Sequence, residues 1–373
     1  MEGADVIVVG AGITGLSLAF FLSRADVDVT VVDRAGIAAG ASGVQPGGVR
    51  QQWSTEVNCR LARESIDFYA HLDEELGRRV EARLDRCGYL FVALTDAALD
   101  GMRKDVALQN SCDVPSRLVS AAEAGDLVPG LSTESVAGGA WCAEGGYFDR
   151  PQAVVEAFAQ AANARIAVSG VVSLRRRADG WELETTGGLI HSKKAVLAAG
   201  VDTRALLEPL GVVAPIEPEA RHLFLSEPVD ERLVEPLVVV GERSFAAKQL
   251  ANGRILASDL AAAGDAARHR ERWRATVARG IDEFLPALSY ASFPVLTSGL
   301  YDVTPDHQPL VGAIEAHDGL WVAAGFSGHG FMLAPAISRR LAEALLEERG
   351  APIPEFSPDR FAGDGLAVER SVV

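Results

Sequence analysis

Clustered positive charge is scarce in this sequence. Among 373 residues, 35 Lys and Arg stand against 51 Asp and Glu, a formal net charge of −16. Phosphate neutralisation needs a basic face, so no nucleic-acid partner is expected. The run Arg175–Arg177 ends a strand pattern just before Asp179-Gly180 and reads as a solvated strand end. Cysteine is sparse as well: Cys59, Cys87, Cys112 and Cys142 form no C-x-x-C pair. That pattern fits reduced, buried thiols in the cytoplasm, not a disulfide framework. The seven histidines show no H-x-x-x-H spacing, so no metal site is expected. Nor does a basic segment precede the apolar start ADVIVVGAGITGLSLAFFL, which Gly10, Gly12 and Gly15 interrupt. It is read as strand, turn and helix, not as a signal peptide or membrane span.

What is present at that end is a dinucleotide-binding pattern. Val6–Val9 is a continuous apolar run of the kind buried in a parallel sheet. GAGITG follows as G-x-G-x-x-G, then the apolar-faced LSLAFFLSR, then the β-branched VDVTVVD ending in Asp33, 23 residues after Gly10. Gly10 permits the tight turn, Gly12 lets a pyrophosphate approach the backbone, and Gly15 lets helix and strand pack closely. The helix start, with Ile13 and Thr14, offers free N–H groups and partial positive charge to phosphates. Asp33, followed by Arg34, can accept from the adenosine ribose hydroxyls. Strand, glycines, helix, strand and acid in order make a dinucleotide site the expectation.

The next segment, RAGIAAGASGVQPGGVRQQW, is a second small-residue loop rather than a continued βαβ pattern. Gly40, Ala41, Ser42 and Gly43 can bring further backbone donors and a hydroxyl to the phosphates. Here the chain resembles the FAD-dependent amine and amino-acid oxidoreductases, the family of D-amino-acid oxidase, glycine oxidase and sarcosine oxidase. The resemblance implies that GASG lies along the FAD pyrophosphate and that Gly48 and Val49 lie near the cofactor. It also implies an α/β fold, α+β overall: a Rossmann-like FAD-binding domain of the glutathione-reductase-like type, with a second, sheet-based substrate domain. The expected division is 1–85, 146–215 and 295–373 for the FAD-binding domain, and 86–145 with 216–294 for the substrate domain.

Between the motifs, residues 54–76 read as one long helix capped by Ser54 or Thr55. SAAE at 120–123 is a capping box, Pro151 opens a helix, and Asp179-Gly180, Gly187-Gly188 and Asn252-Gly253 are hairpin turns. A basic helix spans about 265–285. In the resembled family the VLAAG segment, with Ala199 and Gly200, returns the chain to the FAD lobe, and Val171 or Val172 lies near the adenine. Val201-Asp202-Thr203 is given no role.

SGLYDVTPDHQPLVG at 298–312 and GLWVAAGFSGHGFMLAPAI at 319–337 carry the sharpest resemblance, to the sarcosine oxidase β-subunit type and the dye-linked proline and dimethylglycine dehydrogenases. LWVAAG reads as a buried strand. The loop Gly325, Phe326, Ser327, Gly328, His329, Gly330, with Phe331 and Met332 opening a helix, points a positive helix end at the flavin. Negative charge that develops on a reduced flavin is stabilised there by fixed amides. Gly299 stands where monomeric sarcosine oxidase carries its flavin-linking cysteine, so the resemblance implies a non-covalent FAD. His329 is open between a functional and a loop role.

The family reaction passes a hydride from a carbon bearing nitrogen to flavin N5 and leaves an imine that water hydrolyses. Electrons then go to oxygen or another acceptor. The candidates for substrate handling are Arg50, which can fork a carboxylate and lower an amine's pKa, Lys248 on a hairpin strand expected to face the cofactor, and Tyr301. Trp53 and the Phe326–Met332 loop would shape the pocket. Two alternatives stay open: a 2-hydroxy-acid oxidoreductase on the same fold, and the flavin subunit of a hetero-oligomer. A homo-oligomer is also compatible with the sequence.

Overall fold

The computed structural model describes residues 3–362 and 366–372. The first sheet is built on parallel strands in the spatial order Arg165–Val168, Val29–Asp33, Ala4–Val9, Gly188–Leu197 and Leu320–Ala324, with Leu310–Ala313 antiparallel at the far edge. Strand Gly188–Leu197 serves two partners: its start closes the meander Val171–Arg177, Gly180–Thr185, and its end joins the parallel core. Both faces of the core are covered, so these strands read as unbroken apolar runs. Helix Ile13–Ser23 is buried almost all round and packs against helix Gly330–Glu347, where Ser338 Oγ donates to Thr14 O at 3.2 Å. This is the fold expected from the sequence, and in it the N-terminal and C-terminal glycine loops meet over one sheet.

The second large sheet runs Val295–Val303, Glu217–Pro228, Arg254–Asp259, Phe245–Gln249, Leu237–Val240, Tyr89–Ala93, Gly138–Cys142, Arg117–Val119. Strand Val295–Val303, grouped with the FAD-binding segments by the division above, pairs along its whole length with Glu217–Leu225 in this second sheet, Glu217 opposite Val303 and Leu225 opposite Val295. One face is sealed by the helix Ala266–Phe284, whose Trp273, Val277, Ile281 and Phe284 pack on Phe245, Ala247, Ile255 and Ala257. The basic residues of that helix lie on its outer side, which is why the segment looks exposed in sequence. The opposite face, reached by alternation, faces the first sheet. A small three-stranded sheet, Gly48–Val49, Gly146–Phe148 and Leu84–Asp85, bridges the two.

Local signals in the sequence are realised with one instructive exception. Ser120 and Glu123 form the capping box, Pro151 is the first helical residue, and Asn252-Gly253 lies in the turn joining Phe245–Gln249 to Arg254–Asp259. The helix expected over 54–76 is broken at His71 into Glu56–Ala70 and Leu72–Leu76. Neither Ser54 nor Thr55 caps it with its hydroxyl: both side chains donate instead to Glu369, at 2.6 and 2.8 Å. A long-range carboxylate has drawn both hydroxyls away from the helix start.

Candidate active site

A cavity of about 790 Å³ lies at the carboxyl ends of the parallel strands, between the two large sheets. That is where open α/β sheets place their ligands. At one end it is lined by Gly10, Gly12, Ile13, Thr14, Asp33, Arg34, Gly40, Ala41 and Ser42. Gly10 has φ +116°, and a Cβ there would lie 2.2 Å from Ala198 O, so this crossing of two strand ends admits no side chain. The first amide bonded within the helix is Leu16 N, to Gly12 O at 3.0 Å; Ile13 N is held by Ser42 Oγ at 3.0 Å. Among the described residues the amides of Thr14 and Gly15 have no protein partner, and Ser42 keeps its own proton to donate. Asp33 accepts from Ala11 N at 2.8 Å and from Ala35 N and Gly36 N at 2.8 and 2.9 Å, which orients its carboxylate at the rim. Val171, Val172, Ala199 and Gly200 line the same end. Val201 and Asp202, given no role from sequence, line it too, and Asp202 pairs with Arg34 at 2.9 Å.

The other end is lined by Gly48, Arg50, Tyr89, Arg221, Ser258, Gly299, Tyr301, Asp302, Phe326, Gly328, Gly330, Phe331 and Met332. Gly328 has φ +87°, and a Cβ on it would sit 2.3 Å from the ring of Tyr301, so the loop lies flat on that ring. Within the loop Gly325 N donates to Asp302 Oδ2 at 2.7 Å, Ser327 N to Asp302 O at 3.0 Å and His329 N to Phe326 O at 2.8 Å. Fewer amides are therefore free than the glycine pattern suggests. Those of Gly328, Gly330 and Phe331 have no protein partner among the described residues, and they stand at the start of the helix Gly330–Glu347. Burial pushes the Asp302 carboxyl up, against the hydrogen bonds it accepts from the loop.

Several residues singled out from sequence stand behind the wall of the cavity. Gly15, Val49, Gly325, Ser327, His329 and Lys248 do not line it. Gly15 packs on Gly10 O, and Val49 pairs with Gly146. Ser327 Oγ accepts from Thr304 N at 3.2 Å. His329 is 2 % exposed, edge-on to Trp53 at 4.4 Å, with neither ring nitrogen hydrogen-bonded. Burial, and then the charge of Arg50, hold its pKa well down, so the ring is neutral. Lys248 shares the cavity-facing side of its strand with Ala246, but its Nζ turns to Pro46 O at 3.0 Å and lies 3.8 Å from the centre of the Tyr147 ring. Burial pushes its pKa down to about 7.

Arg50 is a wall residue that is itself 1 % exposed. Its guanidinium lies 3.8 Å over the Trp53 ring and donates to Gln52 O and Ser371 O, and its Nε has no partner. Burial lowers its pKa and the Glu369 carboxylate opposes that shift. The cation missed from sequence is Arg221, 5.5 Å over Tyr301, paired with Glu219 at 2.8 Å and with Nε buried and unpartnered. Its signal was available: in EARHLFLSE, Arg221 and Leu223 alternate with His222 and Phe224, and the latter pair faces the helix side, His222 stacking on Trp273 at 4.0 Å.

The amide-lined, acid-terminated end fits an adenosine diphosphate, and the far end, with three free amides at a helix start, fits a ring that gains negative charge. This site and fold define an FAD-dependent oxidoreductase. Residues 5–344 match the family model described as FAD dependent oxidoreductase, and the chain belongs to that family. It is 28% identical to a glycine oxidase of Pseudomonas aeruginosa over 96% of this chain and 98% of that protein. It is 28% identical to the 4-methylaminobutanoate oxidase (formaldehyde-forming) of Paenarthrobacter nicotinovorans over 96% of this chain, but spans only 45% of that protein. The structure of L-proline dehydrogenase from P. horikoshii superposes with a TM-score of 0.90 at 26% identity, over 98% of this chain and 99% of that one. Among the described residues no helix is long and apolar enough to cross a membrane.

Proposed function

We propose that the chain oxidises the C–N bond of a small amino acid or secondary amine, sarcosine-, proline- or glycine-like, giving an imine that hydrolyses, with electrons leaving to oxygen or another acceptor. The observation that carries this reading is the pairing of two guanidinium groups, Arg50 and Arg221, with Tyr301 at the helix-start end of the cavity. Bound FAD supplies the hydride acceptor, N5. Arg50 and Arg221 would hold the substrate carboxylate and, as nearby cations, lower the pKa of its amine toward the neutral, reactive form. Tyr301, fixed against Gly328, would set the orientation of the carbon to be oxidised. Lys248 would act at one remove, by holding Pro46 and the loop that carries Gly48 and Arg50. We propose further that FAD is non-covalent, since none of the four cysteines lines the cavity, and that the first sheet with its helices is the FAD lobe and the second the substrate lobe.

Oxidation of a 2-hydroxy acid on this fold needs a base to take the hydroxyl proton; no histidine lines the cavity among the described residues, and the carboxylate at that end, Asp302, is held by Gly325 N. A neutral amine needs no such group, which favours the amine reading. The test is an anaerobic screen of small amines, amino acids and 2-hydroxy acids, following the flavin absorbance. Bleaching by an amine such as sarcosine, proline or glycine is the expected result. Bleaching by hydroxy acids alone would sink the proposal.

A further inference from the structure

The end of the chain, beyond the stretch matched by the family model, is built into the wall behind Arg50. Glu369 is fully buried and accepts from Ser54 N at 2.9 Å, Ser54 Oγ at 2.6 Å, Thr55 Oγ1 at 2.8 Å, Asn58 Nδ2 at 2.9 Å and Ser371 N at 2.9 Å. Its own amide donates to Asp306 O at 3.0 Å. Arg370 N donates to Ser54 Oγ at 2.8 Å, and Ser371 O accepts from Arg50. The floor under this knot is braced in turn: Asn58 also donates to Gln308 Oε1 at 3.0 Å, and Arg360 forks Asp306 at 2.7 and 2.9 Å. Five donors on one carboxylate is more than tail anchoring requires, and they converge beside the one fully buried guanidinium of the cavity wall. Burial works to raise the Glu369 pKa, but the hydrogen bonds from Ser54, Ser371 and Asn58 outweigh it and keep the carboxylate ionised.

We infer that Glu369 is a positioning residue of the active site: it clamps the C-terminal segment so that Ser371 O and the nearby carboxylate together hold Arg50 flat on Trp53 in the cavity wall. The physical case is that a guanidinium this deeply buried needs a compensating charge and fixed acceptors, and the loop Gly47–Trp53 supplies only Gln52 O and the Trp53 ring. The sequence gives no hint of the arrangement, because Arg50 and Glu369 are separated by most of the chain. The role of Arg50 toward substrate rests on the reading proposed above; the clamp itself does not.

Two measurements on the FAD-loaded enzyme and its E369Q variant separate these points. The first is hydrogen–deuterium exchange of the segment 48–55, with the remote helix Ala266–Phe284 as internal control. The second is the dissociation constant of acetate, used as a carboxylate probe and read from the flavin difference spectrum. The clamp predicts faster exchange confined to 48–55 and about tenfold weaker acetate binding in E369Q, with an R50K/E369Q double variant no weaker than R50K, as expected for groups acting through one another. Unchanged exchange at 48–55 in E369Q overturns the clamp. If acetate leaves the wild-type flavin spectrum untouched, the carboxylate role of Arg50 falls, while the exchange result still decides the clamp. Should E369Q fail to load FAD, E369D, which keeps the charge but draws it back by one methylene, is read in the same way.

Discussion

Lys248 shows how far a single side chain can be moved from its solution chemistry. It is 1 % exposed, and burial brings its pKa from 10.5 down to about 7, with Cys87 and Asp85 opposing the shift. In the unfolded chain the amine keeps its proton up to about pH 10.5, so between these values the unfolded state binds more protons than the folded one. Stability therefore rises with pH across that window and levels off above it. Replacing Lys248 by Met removes this dependence. The difference in Tm between K248M and wild type should shift in favour of wild type as pH goes from 7 to 10, measured by thermal unfolding; a difference that stays flat with pH would contradict a buried, neutral amine. His329 belongs to the same scale. Placed between two glycines it draws attention as a catalytic group, yet it is a neutral ring packed on Trp53 behind the cavity wall.

At the scale of elements, the loop Gly325–Gly330 and the strand Val295–Val303 form one device. The strand contributes Tyr301 and Asp302; Asp302 ties down the start of the loop, and Gly328 lies on the Tyr301 ring. Gly328→Ala adds a methyl at φ +87° against that ring, so either the loop or Tyr301 must move. A displacement of about 1 Å at a substrate-orienting group costs on the order of 100-fold in rate. We therefore expect G328A to retain FAD but to lose kcat/KM by about 10- to 100-fold with the amine identified in the anaerobic screen, measured by stopped-flow flavin reduction. Retained activity would show that the Tyr301 contact is not used. The N-terminal loop is a different case: its glycines and Asp33 are read by spacing because strand, turn, helix and strand follow one another within 33 residues.

At the scale of the whole molecule, the cavity is lined by residues of both large sheets. FAD bound there would contact both, so its binding free energy adds to folding stability. With free FAD at about 100 times its dissociation constant, that linkage amounts to about 2.7 kcal/mol. Apoprotein titrated with FAD should gain several degrees in Tm, whereas NAD at the same concentration should not; a gain with NAD and none with FAD would contradict the fit of the far end of the cavity. The division of labour between lobes follows the same logic. One sheet lines the cavity with strand ends and helix starts, and the other lines it with side chains, Arg221 among them.

The amino-acid order by itself pointed to the dinucleotide motif, the family, and many of the positions that line the cavity, because those depend on backbone conformation and on residues close together in the chain. Gly10, Gly12, Asp33, Ser42, Gly200 and Gly328 all line one cavity. Only the tertiary structure decided which charged groups meet there. Arg221 reached the cavity through strand alternation in a sheet whose register is set by distant partners, and Lys248 turned aside to Pro46 O. Glu369 engages the Ser54 and Thr55 hydroxyls from more than three hundred residues away. Hydrogen bonds form where geometry and desolvation favour them rather than where the sequence is close, and a buried carboxylate draws hydroxyl donors from whatever part of the chain packs against it.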